Sequence, residues 1–200
     1  MGTMPKIAAP TVAEHREHIR VALIDAAEAI LRAGEPLTAG VVSGAAGIAR
    51  NSIYRYVDSV DDLRGLVLQR YLPAWDTAVT EALAPLTDPG DRVVEWVRIN
   101  LEQAHLTGHG WLITMTREAP QSAAMTALAD HAHRIMRDAL GRAWMDLLGD
   151  PTEARIMSSL TLGMLGAAFQ QLDTELPYGR IVDASVTTAR ALVDSVPQRP

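Results

Sequence analysis

Arg50, Asn51, Ser52 and Arg55 fall within six consecutive positions, with Tyr54 between them and Tyr56 just beyond. Guanidinium and amide groups spaced in this way donate to base edges in a major groove or to phosphate oxygens. Serine and tyrosine hydroxyls add phosphate contacts. The 22 residues from Pro36 to Val57 contain no carboxylate, so nothing in the segment repels a phosphate. The whole chain points the other way, because 18 basic and 24 acidic residues among 200 leave a net charge of −6. The distribution removes the conflict. Residues 1–64 hold seven basic and eight acidic side chains, a net of −1, so five of the six excess negative charges lie beyond Arg64.

Positioning these donors requires helices. Ile19, Leu23, Ala26, Ala27 and Ile30 recur at helical spacing and lay one apolar stripe along a first helix, which Gly34 stops. Thr38 is placed to cap a short second helix ending near Gly47, a residue able to take the left-handed backbone of a sharp corner. Ala45 and Ala46 permit close helix approach, and Val42, Ile48 and Ile53 are placed to face the first stripe. A third short helix is expected from Arg50 to Tyr56, with the ring of Tyr54 packed and its hydroxyl exposed. Ser59 then caps a long fourth helix, with Asp61 and Asp62 in its first turn. Pro73 is expected to bend or interrupt it. Asp88-Pro89 and Asp150-Pro151-Thr152-Glu153 mark later helix starts, and Gly108 or Gly110, Gly149 and Pro177 mark stops. No run shows strand alternation, so the expected fold is all-α with about nine helices.

Other chemistries find little support. The chain has no cysteine, which removes disulfides, thiolate metal sites and thiol nucleophiles and is compatible with a reducing cytosol. The run Gly40 to Gly47 has neither the spacing nor the following lysine of a phosphate loop. His105 and His109 are four apart, but Gly108 and Gly110 end that helix; His131 and His133 diverge around a helix, so no metal site is expected. No catalytic motif nominates a nucleophile or base, so the chain is not read as an enzyme and no cofactor is implied. The longest stretch of low charge, Ile156 to Leu172, falls short of a membrane span, and residues 1–10 lack the apolar core of a signal peptide.

Residues 19–63 resemble the DNA-binding domain of the tetracycline-repressor (TetR) family. The family pattern is a threonine, a short helix, an alanine-glycine turn, a recognition helix ending in tyrosine and a serine-capped long helix. Thr38, Ala46-Gly47, Tyr54, Tyr56, Ser59 and Leu63 match it, and Ala26-Ala27 and Gly34 fall where the first helix of the family has them. The resemblance implies a three-helix helix-turn-helix headpiece in residues 1–64, with 1–11 as a disordered arm, and a helical effector-binding and dimerisation domain in 65–200. It implies a cytoplasmic, homodimeric, ligand-responsive transcriptional regulator, read as a repressor. Thr38, Ala49, Arg50, Asn51, Ser52, Tyr54, Arg55 and Tyr56 would contact double-stranded operator DNA.

Three positions depart from the pattern: Val57 stands for the usual phenylalanine, Val60 for a phosphate-touching lysine, and Ala49 for a serine or threonine cap. With Gly40 and Gly44 inside the short second helix, these departures suggest a headpiece that is marginally ordered without DNA. The loss of a lysine at Val60 keeps an alternative open, a helical small-molecule-binding protein that no longer binds an operator.

Six methionines lie between Met115 and Met164. They suit either a core poor in phenylalanine or a pocket for a hydrophobic or aromatic effector. In the second reading Trp96, Asn100, Trp111, Met115, Met136, Leu140, Trp144, Leu165 and Phe169 approach a common cavity. The small residues Ser158, Ser159, Gly163, Gly166 and Ala167, with Ala184, Ser185, Thr188 and Ala189, allow two late helices to pack closely. They pack either within one subunit or against a second copy as a four-helix interface.

Overall fold

The structure, a computed structural model, describes residues 11–108 and 137–196. The described residues form helices α1 (Val12–Arg32), α2 (Ala39–Ala45), a 3-10 helix (Arg50–Arg55), α3 (Asp62–Leu83) and α4 (Pro89–Thr107). They continue as α5 (residues 137–148), α6 (Pro151–Leu172) and α7 (Tyr178–Asp194). There is no strand among the described residues, so the all-α expectation holds. The chain divides into two compact units, Met1–Val67 and Leu68–Pro200. Residues of α3 fall in both.

In the first unit α1 starts at a reciprocal capping box: the Glu14 N–H donates to the Thr11 hydroxyl at 3.2 Å and the Thr11 N–H to the Glu14 carboxylate at 2.6 Å. The Thr11 N–H, and next its hydroxyl, hold the Glu14 carboxyl below its usual value of 4.5. A lowered carboxylate pKa contributes stability that is complete above the unfolded value and is lost as pH falls through the folded one. The α1 start is therefore expected to fray only below pH 4.5, with the Thr11 amide resonance moving in that range in an NMR titration. The predicted stripe is seen: Leu23, Ala27 and Ile30 are buried, joined by Ile24 and Leu31, while Ile19 and Ala26 are half-buried. Ala39, Val42, Ile53, Val57, Leu63 and Val67 complete the buried apolar set of this unit among the described residues.

In the second unit α4 packs against α6 and α7, and these two pack against each other. One apolar core gathers Val79 and Leu83 from α3, Trp96, Val97 and Leu101 from α4, Leu140 and Trp144 from α5, Met157, Leu165 and Phe169 from α6, and Ile181 and Val193 from α7. The two prolines read as helix starts are confirmed: Asp88 accepts from the Asp91 N–H, and Asp150 from those of Thr152 and Glu153. Pro73, expected to bend or interrupt α3, does not interrupt it; the helix runs through it. Helix α4 approaches α7 so closely that a Cβ on Gly90 would lie 2.6 Å from Val193 Cγ1. Val193 is a stiff, buried side chain, so Gly90→Ala is expected to cost about 1–3 kcal/mol by overpacking. A lowered midpoint in thermal unfolding followed by circular dichroism checks it. No described helix is long and apolar enough to cross a membrane.

Candidate nucleic-acid interface and apolar core

The helix-turn-helix corner is built by local rules. Thr38 accepts from the Val41 N–H at 3.3 Å and opens α2. At its end the Ile48 N–H donates to Ser43 O and the Gly47 N–H to Gly44 O, a Schellman arrangement that needs a left-handed residue. Gly47 supplies it with φ of 71°. The next element departs from the sequence reading. Arg50–Arg55 form a 3-10 helix rather than an α-helix, and Ala49 at its start makes no side-chain cap, as its type implies. The other end is held from outside, where Arg16 of α1 donates to the Arg55 carbonyl at 3.1 Å. Sequence reading gave Arg16 no role. The pair is separated by 39 positions, so no local spacing could announce it.

Within the 3-10 helix Ile53 is the one buried residue, at 0% exposure, and Tyr54 and Arg55 after it turn to solvent. Arg50, Asn51 and Arg55 are exposed, Ser52 and Tyr56 half-buried. Tyr54 is 57% exposed, which corrects the expectation that its ring packs. Thr38 and Ala49 are also exposed. Asp58 is the first carboxylate after them. Gly40 and Gly44 are exposed, and a Cβ on either meets nothing within 4 Å. Gly40→Ala and Gly44→Ala are each expected to stabilise the first unit by about 0.5–1 kcal/mol through helix propensity. Slower amide exchange of residues 38–56 in the double variant checks this. Val60, where the lysine is missing, is half-buried and lies within the Ser59–Asp62 reciprocal cap, in which the Asp62 N–H meets the Ser59 hydroxyl at 3.2 Å and the Ser59 N–H the Asp62 carboxylate at 2.7 Å.

Six of the residues nominated for an effector cavity are described, and all are buried. Trp96, Leu140, Trp144, Leu165 and Phe169 belong to one core, and Asn100 is fully buried beside Trp96 on α4. Trp111, Met115 and Met136 lie outside the described residues. Polar handles are threaded through this core. The Trp75 indole N–H donates to Asn100 Oδ1 at 2.8 Å, and Asn100 Nδ2 donates to Trp96 O at 2.7 Å. The Trp144 indole N–H donates to the buried Thr161 hydroxyl at 3.1 Å, which donates to Met157 O. Trp75 and Thr161 were not nominated from sequence, since each becomes relevant only when distant helices meet. Of the described methionines Met157 is core, whereas Met145 is 40% exposed. At the α4 end, His105 stacks on Tyr178 with centroids 4.0 Å apart, and Arg98, paired with Glu95 and Glu102, has its pKa raised further, first by Glu95. His109, His131 and His133 lie outside the described residues, among which no metal-binding cluster occurs.

The small-residue surface divides by burial. Ser159, Gly163, Ala167, Ala184 and Thr188 are exposed and Gly166 is half-buried. Ser185 is 6% exposed, with its hydroxyl on Ile181 O. Between α6 and α7 lies an open groove of about 510 Å³ whose lining includes Met164, Ala167, Leu176, Ala184, Ser185 and Thr188. Ile156 and Leu160, 45% and 54% exposed, continue the stripe of Gly163 and Ala167 along α6.

No protein-family profile matches the chain, and no curated protein matches its sequence. Solved structures do match in shape. A TetR-family transcriptional regulator from Streptomyces coelicolor is similar with a TM-score of 0.68 at 18% identity, covering 92% of this chain and 82% of that one. AibR in complex with isovaleryl coenzyme A and operator DNA is similar with a TM-score of 0.65 at 16% identity, covering 86% and 97%. A TetR-family regulator from Bordetella parapertussis is similar with a TM-score of 0.60 at 21% identity, covering 86% and 94%. The chain has the fold of the TetR-family transcriptional regulators.

Proposed function

We propose that this protein is a TetR-family regulator, a sequence-specific, cytoplasmic DNA-binding protein that represses from a pseudo-palindromic operator and is released by a small hydrophobic or aromatic effector. The observation that carries the reading is the exposure of Arg50, Asn51, Tyr54 and Arg55 in a segment without carboxylates, on a glycine-turned corner and within a fold shared with operator-binding regulators. Arg50 and Asn51 at the start of the 3-10 helix read base edges, and Thr38, Tyr54, Arg55 and Tyr56 hold phosphates. Residues 1–64 act as the headpiece and 65–200 as the effector and dimer domain. The effector enters the core around Trp96, Asn100, Leu140, Trp144, Leu165 and Phe169, where an indole or amide N–H turned from its internal partner meets a polar ligand atom. Its coupling to operator affinity is about 1–3 kcal/mol, or 5–150-fold.

Two copies associate through α6 and α7. Exposed Ile156 and Leu160 beside Gly163 and Ala167 form an apolar stripe with room for close helix approach, and the neighbouring α6–α7 groove supports the same use. A carboxylate in that stripe is unpaired once buried, so Leu160→Glu is expected to convert a dimer into a folded monomer at micromolar concentration. Sedimentation equilibrium of both proteins reads this. Selection from random-sequence duplexes tests the function: the protein should enrich an inverted repeat with half-site centres about one helical turn or somewhat more apart, roughly 34–36 Å. Failure to enrich any sequence would favour the helical binding protein that has lost its operator.

A further inference from the structure

A second groove lies on the other flank of α6, against α5, with a volume of about 560 Å³. Arg137, Gly141 and Met145 line it from α5 at successive turns, and Ala154, Arg155 and Leu162 from α6. Its size is that of a small-molecule site rather than a protein docking face. Two guanidiniums stand in its wall and no lining residue is acidic. Arg137 and Arg155 are exposed, and neither makes a hydrogen bond or ion pair among the described residues. Met145 and Leu162 supply apolar surface in the same groove.

Gly141 adds an independent observation. Glycine inside a helix costs about 1 kcal/mol against alanine, yet a Cβ at this position meets nothing within 4 Å. Packing within the protomer does not demand glycine there. What its missing side chain does is keep the α5 wall open between Arg137 and Met145. The Ser158 hydroxyl is already committed to Ala154 O at 2.7 Å, which leaves the two guanidiniums and the Ser159 hydroxyl as side-chain donors in the groove. Ser159 at the rim also belongs to the face proposed for the second copy.

We propose that the α5–α6 groove binds a small amphipathic anion, a carboxylate with an aliphatic body, its head on the guanidinium of Arg137 or Arg155 and its body along Met145, Ala154 and Leu162. A guanidinium fork matches a carboxylate geometrically, and the pairing is stronger where the carboxylate body is shielded from water. The site is distinct from the Trp96–Trp144 core.

Calorimetric titration of the full chain with octanoate tests this, with octan-1-ol and octylamine as probes of the same length and different head. Octanoate is expected to bind the wild type, and octan-1-ol and octylamine at least about tenfold more weakly. Arg137→Gln with Arg155→Gln removes both positive charges from exposed positions and is expected to weaken octanoate about tenfold or more. Gly141→Leu fills the groove into open space and is expected to abolish octanoate binding with an unchanged circular dichroism spectrum. The arginine pair carries the test if that substitution lowers the thermal midpoint. Absence of octanoate binding, equal binding of octan-1-ol, or wild-type affinity in a folded variant of either kind overturns the proposal. Octanoate bound with wild-type affinity in both variants would place it in the Trp96–Trp144 core, overturning the groove assignment while leaving the regulator reading intact.

Discussion

Replacing Trp144 by alanine is expected to destabilise the second unit by about 3–5 kcal/mol, the range for removing a buried large aromatic side chain. Its ring is fully buried among Leu140, Leu165 and Phe169, so the cavity is too well framed by helices to collapse. A second loss adds to the first. The Thr161 hydroxyl, fully buried, still donates to Met157 O but no longer receives the indole N–H at 3.1 Å. A domain of this size has about 5–15 kcal/mol of stability in all, so a large part of it goes with one side chain. Trp144→Phe separates the contributions, since it keeps most of the ring volume and removes the donor; about 1–2 kcal/mol is expected from it. Urea unfolding followed by far-ultraviolet circular dichroism measures both. A loss below about 1 kcal/mol for Trp144→Ala would show that the core does not depend on this residue.

Replacing Arg50 and Arg55 together by alanine is expected to lower operator affinity about 100-fold or more at low salt while leaving the fold intact. Each arginine contact to a base edge or phosphate is worth about 1–3 kcal/mol. Both side chains are exposed, and neither makes an ion pair among the described residues, so stability does not rest on them. The Arg16 contact is to the Arg55 backbone carbonyl and survives the substitution. The two roles separate in the salt dependence. Loss of a phosphate contact flattens the slope of log K against log salt by about 0.9, whereas loss of a base contact leaves the slope and narrows the preference for operator over scrambled DNA. Fluorescence anisotropy across a salt series reads both quantities. Unchanged affinity in the double variant would remove these side chains from the interface.

What was legible in the sequence follows the reach of the interactions involved. The Thr38 cap, the Gly47 corner, the Ser59–Asp62 cap and the Asp-Pro starts of α4 and α6 are set by residues within four positions of one another. A single sequence displays them. Apolar spacing likewise gave the buried face of α1, and Trp96, Leu140, Trp144, Leu165 and Phe169, nominated for an effector cavity, gather in one core. The exposure of Tyr54 was misread because helical spacing was taken as α, where a 3-10 turn rotates each successive residue by a further 20° or so. Of the two outcomes expected at Pro73, a bend or an interruption, the interruption does not occur. The Arg16–Arg55, Trp75–Asn100 and Trp144–Thr161 bonds join elements that sequence alone does not bring together. The arginines of the α5–α6 groove stayed unremarked for the same reason: Arg137 and Arg155 sit on different helices, and only their packing puts both on one groove.

The central claim is that a chain of net charge −6 binds specific DNA through one segment without carboxylates. An electrophoretic mobility shift with the duplex upstream of its own coding region, at about 50 mM salt where phosphate contacts are strongest, tests it most directly. The account predicts a discrete shifted complex that scrambled DNA of equal length does not compete away, and that Arg50→Ala and Tyr54→Phe weaken. No complex at that salt, or a complex that scrambled DNA displaces equally well, would contradict it.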